Sequence, residues 1–277
     1  MTPRRLLAQA VADLQTCGCA TPRLDAQLLL CHALGKARSW LIAHADDVLD
    51  GADIDTFRQL LTRRLEREPV AYITGEKEFW SRPFHVTPDV LIPRPETEHL
   101  IEAVLAHFPD HQAPWSLCDI GTGSGCIAIT LACEYPQAHV TATDISAAAL
   151  AVAKTNAERH GVADRITFFQ GDIFGALKGD LLTFDAIVSN PPYVARHEME
   201  GLEPELEYEP RHALSDEQDG LSFLRQLAEE AGDWLAPHGR LIVETGVCGL
   251  PEDAGAIHLQ ERITDLAGNL RGGVYSR

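Results

Sequence analysis

Asn190-Pro191-Pro192-Tyr193 is the stretch of this chain whose residue types speak most directly of chemistry. It follows Phe184-Asp185-Ala186-Ile187-Val188-Ser189, which reads as a buried strand. Two consecutive prolines fix the backbone and remove two amide donors, so the polar surface left there is carbonyl oxygen. Those carbonyls and the Asn190 side-chain oxygen can accept both hydrogens of a planar NH2 group, while Tyr193 can stack on the flat group. A nitrogen gripped in this way keeps its π electrons exposed to an electrophile, and orientation becomes the main lever on rate. As a bare turn after a strand the same four residues would need no chemistry. A glycine-rich stretch upstream argues against that plainer reading.

That stretch is Asp119-Ile120-Gly121-Thr122-Gly123-Ser124-Gly125. Glycines at a strand-to-helix turn let backbone approach a ligand closely, and helix N-terminal amides favour negative groups. The dinucleotide fingerprint wants its third small residue one place later, where Cys126 stands. An acidic residue followed by G-x-G-x-G instead suits the amino-acid end of S-adenosylmethionine, whose ammonium needs an acceptor and whose carboxylate needs amide donors. Asp144 ends the next predicted strand, nineteen residues beyond Gly125, where a carboxylate can accept both ribose hydroxyls. Capping the following helix is its alternative role, one that Ser146 could also take. Asp172 is expected to meet the adenine amino group, with Ile173 against the ring; Asp172 alone could equally be a cap.

These residues need a sheet to bring them together. From residue 114 onward, apolar runs alternate with helical periodicity, the mark of a parallel sheet covered on both faces. Strands are predicted at 115–120, 139–143, 166–170, 184–189 and 239–244, with helices at 125–134, 146–160 and 219–235. The tail from 262 to 277 could supply two more strands. Residues 1–70 read as short helices, with Leu6, Leu7, Ala10, Val11 and Leu14 at helical spacing and Gly18, Gly35 and Gly51 as punctuation. Residues 71–113 form a proline-punctuated bridge, with short strands expected at Tyr72–Ile73 and Phe84–Thr87 and a helix from about 97 to 108. Three segments result, a helical domain (1–70), the bridge (71–113) and the catalytic domain (114–277).

Composition excludes several functions. The chain has 277 residues and a formal charge of -18. Residues 1–70 balance nine basic against nine acidic side chains, so the whole excess falls on the remainder, with 14 basic against 32 acidic. Such a surface repels phosphate backbones, so direct nucleic-acid binding is not expected. An adenine or cytosine amino-methyltransferase would share the nitrogen chemistry but needs a basic groove and room for a flipped base. A cofactor-binding protein without catalysis gains little from Asn190–Tyr193, and a nicotinamide dehydrogenase fails on glycine spacing. Seven scattered cysteines and no export signal point to reduced thiols in the cytoplasm. Cys17 and Cys19 lack the spacing of a zinc knuckle, the twelve histidines cluster with no ligand set, and no metal is expected. No apolar run approaches the roughly 20 residues that span a bilayer.

With these residues in place, nearly the whole chain resembles the peptide-chain release factor glutamine N5-methyltransferases. The distinguishing part is the bridge, from Glu68-Pro69-Val70-Ala71-Tyr72 through Glu78-Phe79-Trp80 to Leu91-Ile92-Pro93-Arg94-Pro95-Glu96-Thr97-Glu98. Tyr208-Glu209-Pro210, Glu244 and Asp265-Leu266-Ala267-Gly268 with Arg271 extend the match. The resemblance implies an α/β fold, a seven-stranded Rossmann-like class I S-adenosylmethionine-dependent methyltransferase domain with a small N-terminal all-helical domain that recognises the substrate. The implied substrate is the glutamine amide in the Gly-Gly-Gln loop of release factors. Carried over, the cofactor site is Asp119, Gly121, Thr122, Gly123, Ser124, Gly125, Asp144, Asp172, Ile173 and Asn190. The catalytic and substrate-holding residues are Asn190, Pro191, Pro192 and Tyr193, with Arg94 and Glu96 on the substrate side. A monomer is expected, and no membrane partner. The stretch 246–260 carries Gly249, Pro251 and Gly255 where the family has a helix, and Ile173 stands where some relatives offer an aromatic. The acidic run Glu198, Glu200, Glu203, Glu205, Glu207 and Glu209 is expected to steer a basic release factor to the site.

Overall fold

A computed structural model describes residues 1–177 and 182–277. Contacts divide the chain into two compact units, Met1–Glu76 with Glu203–Tyr208, and Lys77–Leu202 with Glu209–Arg277. Within the expected bridge, residues up to Glu76 group with the helices and Lys77 onward with the sheet.

In the first unit, α1 (Pro3–Thr16), α2 (Pro22–Leu34), α3 (Arg38–Ala43) and α4 (Gly51–Leu65) are followed by α5 (Val70–Thr74). Thr2 accepts from the Arg5 amide and Asp50 from the Ala52 amide, capping α1 and α4. Leu6, Ala10 and Leu14 bury one stripe of α1 against Ala26, Leu29 and Leu30 of α2 and Phe57 of α4. Tyr72 and Ile73, expected as a strand, lie in α5, which Gly75 ends in left-handed conformation. Five residues between Pro69 and Gly75 cannot extend far without a partner strand, and the Tyr72 and Ile73 side chains are buried instead. Buried Asp25 accepts from Arg64 Nε at 2.8 Å, and Arg64 and Arg67 both hold Glu205, at 2.8 and 2.6 Å. Removing one member of that network would strand a buried charge.

The second unit opens with a hairpin, β1 (Glu76–Phe79) and β2 (Arg82–His85), then α6 (Glu98–His107). The alternating part follows as β3 (Ser116–Ile120), α7 (Cys126–Glu134), β4 (His139–Asp144), α8 (Ala147–Arg159), β5 (Ile166–Gln170) and β6 (Phe184–Ser189). It finishes with α9 (Arg211–Leu214), α10 (Ser222–Trp234), β7 (Leu235–Glu244), β8 (Asp253–Ala254), β9 (Ile257–Thr264) and β10 (Leu270–Ser276). The sheet order is β5-β4-β3-β6-β7-β10-β9-β8. The seven expected strands are thus present, and the two-residue β8 adds at the edge. The strands from β5 to β7 are parallel, and β10 and β9 run antiparallel. No helix forms over 246–260, where β8 and the start of β9 lie instead.

Successive residues on the central strands serve opposite cores. Leu117, Val188 and Ile242 pack with α6 and α7, whereas Cys118, Ile187, Leu241 and Val243 pack with Leu224, Leu227 and Ala231 of α10. The chain runs from β3 outward to β4 on one side, and β6 lies on the other. Loops leaving the carboxyl ends of β3 and β6 therefore diverge around a crevice, the place where open α/β sheets bind ligands. Among the described residues, no helix is long and apolar enough to cross a membrane.

Candidate active site

A cavity of about 370 Å3 opens at that crevice. The loop after β3 contributes Gly121, Thr122, Gly123 and Ser124, β4 ends in Asp144, the β5 loop brings Asp172 and Ile173, and β6 delivers Asn190, Pro191 and Pro192. Arg94 and Thr97 reach the same wall from before α6. Four of the sequence-predicted residues do not line it. Asp119 and Gly125 lie beneath the loop, Tyr193 turns away from it, and Glu96 faces Arg271 at 3.9 Å.

The glycine loop spends its amides on its own shape. Gly121 and Thr122 both donate to the Thr143 carbonyl (2.9 and 2.8 Å), Gly123 to Asp144 Oδ2 (2.9 Å) and Gly125 to the Thr122 carbonyl (2.8 Å). In this arrangement these four amides are engaged within the protein. Three of them are taken up by the end of β4 and the fourth, Gly125, by the loop itself. Gly125 has φ +83°, and a side chain there would meet Ala153. Asn156, fully buried on α8, braces the loop from behind. Its Nδ2 donates to the Ser124 carbonyl (2.8 Å) and the His85 carbonyl (2.9 Å), and its Oδ1 accepts from the His85 amide (2.7 Å).

Asp119 is wholly buried. One oxygen accepts from the Thr122 hydroxyl (2.6 Å) and the Ala128 amide (3.1 Å), and the other, Oδ1, has no partner. Burial pushes its pKa up to about 7, against those hydrogen bonds and with repulsion from Asp144 adding to the rise. Asp144 takes one N–H on each oxygen, from Gly123 and from Ser146 (2.8 Å), which leaves further lone pairs for hydroxyl donors. The helix cap itself is Ser146, whose hydroxyl accepts from the Ala149 amide. Ile173 has φ +45°, a strained conformation for a β-branched side chain, held by burial against Phe174 and Leu177. Asp89 and Asp216 add two more carboxylates to a wall on which, among the described residues, Arg94 is the sole Lys or Arg. An orphaned buried carboxylate oxygen and an acidic wall fit a ligand that carries positive charge and hydroxyl groups, and they disfavour a phosphate-rich one.

The motif after β6 is held by two side-chain hydrogen bonds. Asn190 Nδ2 donates to Thr97 Oγ1 at 3.0 Å, which leaves Oδ1 as that side chain's acceptor. The Tyr193 hydroxyl donates to Glu244 Oε1 at 2.9 Å, and its ring lies where Gly246 leaves no room for a side chain. The Tyr193 hydroxyl is thus engaged within the protein. Burial, then the neighbouring Glu244 carboxylate, holds the Tyr193 pKa far above the usual phenol range. Arg94 is pinned by buried Glu209, which takes its guanidinium at 2.5 Å and the Ile92 amide at 3.0 Å.

Thr97, Asn156 and the cavity residues from His212 to Gln226 were not legible as functional. Asn156 had a signal, being the polar member of the buried stripe Ala149, Leu150, Val152, Ala153 and Ala157. The acidic run is also reduced as a steering surface. Glu209 is buried, Glu205 is neutralised by two arginines and Glu198 accepts from the Ala195 amide, so Glu200, Glu203 and Glu207 remain exposed. All seven cysteines are free thiols, and among the described residues no group of three ligating side chains could hold a metal.

Two family models match the chain, the PrmC N-terminal domain over residues 5–75 and the methyltransferase small domain over residues 98–206. A release factor glutamine methyltransferase from Moorella thermoacetica is 42% identical over 98% of this chain and 97% of its own. The enzymes of that name from Bordetella pertussis (48% identical, 81% of this chain and 82% of theirs) and Nitratidesulfovibrio vulgaris (44%, 88% and 82%) agree. Identity at that level along almost the full length, on a sheet whose switch-point cavity gathers Asn190-Pro191-Pro192 with the glycine loop, makes this chain a methyltransferase belonging to the release factor glutamine methyltransferase family.

Proposed function

We propose that this enzyme transfers a methyl group from S-adenosylmethionine to the side-chain amide nitrogen, N5, of the glutamine in the Gly-Gly-Gln motif of peptide chain release factors. S-adenosylmethionine, when bound, supplies a methyl group activated as a sulfonium. Asp144 and Asp172 would take its hydroxyl and amino donors, Ile173 would pack on the adenine, and Gly121 to Ser124 would line its amino-acid end. Asp119 Oδ1, buried beneath that loop without a partner, would be an acceptor suited to an ammonium.

The observation that carries the reading is the commitment of Asn190 Nδ2 to Thr97. It leaves Asn190 Oδ1, with the neighbouring proline carbonyls, as a set of acceptors for a group with two N–H donors. A primary amide is such a group. Accepting both hydrogens holds the amide plane and leaves the face of the nitrogen open, so positioning does most of the work. Glu200, exposed in the same unit as the cavity, would help draw a basic protein substrate.

Tritium transfer from labelled S-adenosylmethionine tests this. Offered side by side are release factor, the same factor with its loop glutamine replaced by alanine, and unmethylated DNA. Label on the unaltered factor alone, abolished by Asn190→Ala, is expected. Label on DNA, or on the alanine variant, would refute the substrate.

A further inference from the structure

We infer that Thr97 and Glu244 are positioning residues for methyl transfer: Thr97 Oγ1 accepts from Asn190 Nδ2 and Glu244 Oε1 accepts from the Tyr193 hydroxyl, and together they fix which atoms of Asn190–Tyr193 face the cavity. The inference rests on the amide-holding reading above.

An asparagine side chain presents an oxygen or an NH2 group to whatever lies in front of it, and rotation by 180° exchanges them. With the oxygen forward, Asn190 accepts from a substrate amide. With the NH2 forward, it opposes the substrate's own NH2, donor against donor. The choice is made behind the residue, at Thr97. A hydroxyl can donate or accept toward Asn190, so Thr97 alone does not decide. Its proton goes elsewhere if an obligate acceptor lies near, and the Glu244 carboxylate is such an acceptor. Glu244 is 2% exposed, and its Oε2 has no aligned hydrogen-bond partner. The Thr97 hydroxyl is close enough to lower the pKa of Glu244, which burial otherwise raises. In the arrangement observed, Asn190 Nδ2 donates to Thr97 Oγ1 at 3.0 Å, so a Thr97 lone pair is what Asn190 uses, and the unpartnered carboxylate oxygen of Glu244 favours keeping it so.

The same carboxylate fixes Tyr193. Its hydroxyl is donated to Oε1, and Gly246, two residues beyond Glu244, would clash with the ring if it carried a side chain, at 2.8 Å from Cδ2. Both ends of the four-residue motif are therefore tied to one buried group at the end of β7 and to one residue at the start of α6. Glu244 is 2% exposed and does not line the cavity, and Thr97, also 2% exposed, reaches the wall while its Oγ1 is engaged by Asn190, so both act on the substrate through the motif they hold. Threonine at this buried place is otherwise costly, because valine has the same shape and no polar atom to satisfy.

The test compares Thr97→Val, Thr97→Ser and Glu244→Gln with the unaltered enzyme on release factor. S-adenosylmethionine binding is measured by calorimetry as a check that the fold stands. Valine removes the acceptor, serine keeps it, and glutamine replaces an acceptor-only group with one that can also donate. For Thr97→Val and Glu244→Gln, kcat is expected to fall roughly 10- to 100-fold, as for other small misplacements of reacting groups, with KM and cofactor affinity within about twofold. Thr97→Ser is expected to recover kcat to within about threefold of the unaltered enzyme. A Thr97→Val enzyme with undiminished kcat overturns the inference. So does a loss that serine does not rescue and that cofactor binding shares, since that is the mark of a merely structural role. Asn190→Ala separates the two claims. If it methylates release factor normally, the amide-holding reading itself fails; if it is inactive while Thr97→Val is unimpaired, only the present inference falls.

Discussion

Replacing Asn156 by alanine tests whether the glycine loop is held from behind. The side chain is wholly buried and makes three hydrogen bonds, of 2.7, 2.8 and 2.9 Å, to the His85 amide, the Ser124 carbonyl and the His85 carbonyl. Each such bond contributes about 1 kcal/mol net, and a buried group left without its partner costs about 1–3 kcal/mol. Water entering the space left by the amide would offset part of that loss. The expected destabilisation is therefore about 2–4 kcal/mol, large among single substitutions. For a unit of this size it lowers Tm by roughly 5–15 °C. Because one of the bonds ends on Ser124, within the loop that lines the cavity, cofactor affinity should fall as well. The assay is thermal unfolding without ligand, paired with calorimetric titration of S-adenosylmethionine. Thr155→Ala, next along α8 with its hydroxyl on the exposed Ala151 carbonyl, is the control and should change stability by less than about 0.5 kcal/mol. If Asn156→Ala and Thr155→Ala melt together, the loop is not held by this residue and the reasoning is refuted.

Three other outcomes are expected. Gly125→Ala puts a Cβ at φ +83° within 3.2 Å of the Ala153 Cβ, whereas Gly121→Ala, at φ +74°, meets nothing within 4 Å. Chemical denaturation should therefore find the former worse by about 1–2 kcal/mol, the packing penalty beyond a shared backbone cost. Asp119 has a folded-state pKa raised to about 7 from an ordinary 3.8, so it stabilises the ligand-free fold most below pH 4 and that contribution is lost as pH rises through 7. Asp119→Asn should flatten this slope in unfolding curves measured between pH 4 and 8, and a slope that survives the substitution would clear Asp119 of it. Glu209→Gln removes the charge that pins Arg94, and should cost about 2 kcal/mol in unfolding free energy and raise KM several-fold. Unchanged KM with lowered stability would show that Arg94 does not meet the substrate.

Much of the sheet was legible because its signals are local. The apolar runs that became β3, β4, β5 and β6 begin and end within a residue of their expected places, since a fully buried parallel strand must be apolar on both faces. Spacing placed Gly121–Ser124, Asp144, Asp172 and Asn190 each after the end of its own strand, and the sheet order sets those ends side by side. Tyr72–Ile73 was misread because a short apolar pair has no period to measure, and the capping by Gly75 decided for helix. The length of β7 was missed for a related reason, because Pro237 and Gly239 lie inside it and interrupt its pattern.

What only the tertiary structure decided is which atoms each residue offers. The sequence named Asn190, Tyr193, Asp119 and the glycine loop, and with them the kind of chemistry. It could not say that the Tyr193 hydroxyl is spent on Glu244, that Gly121, Thr122, Gly123 and Gly125 spend their amides inside the protein, or that Glu209 serves Arg94 and not solvent. Those outcomes turn on partners 93 residues apart for Asn190 and Thr97, 71 for Asn156 and His85, and 115 for Arg94 and Glu209. Periodicity and propensity are properties of neighbours along the chain, whereas a hydrogen bond needs two groups within about 3 Å in space, and only the folded sheet sets that distance.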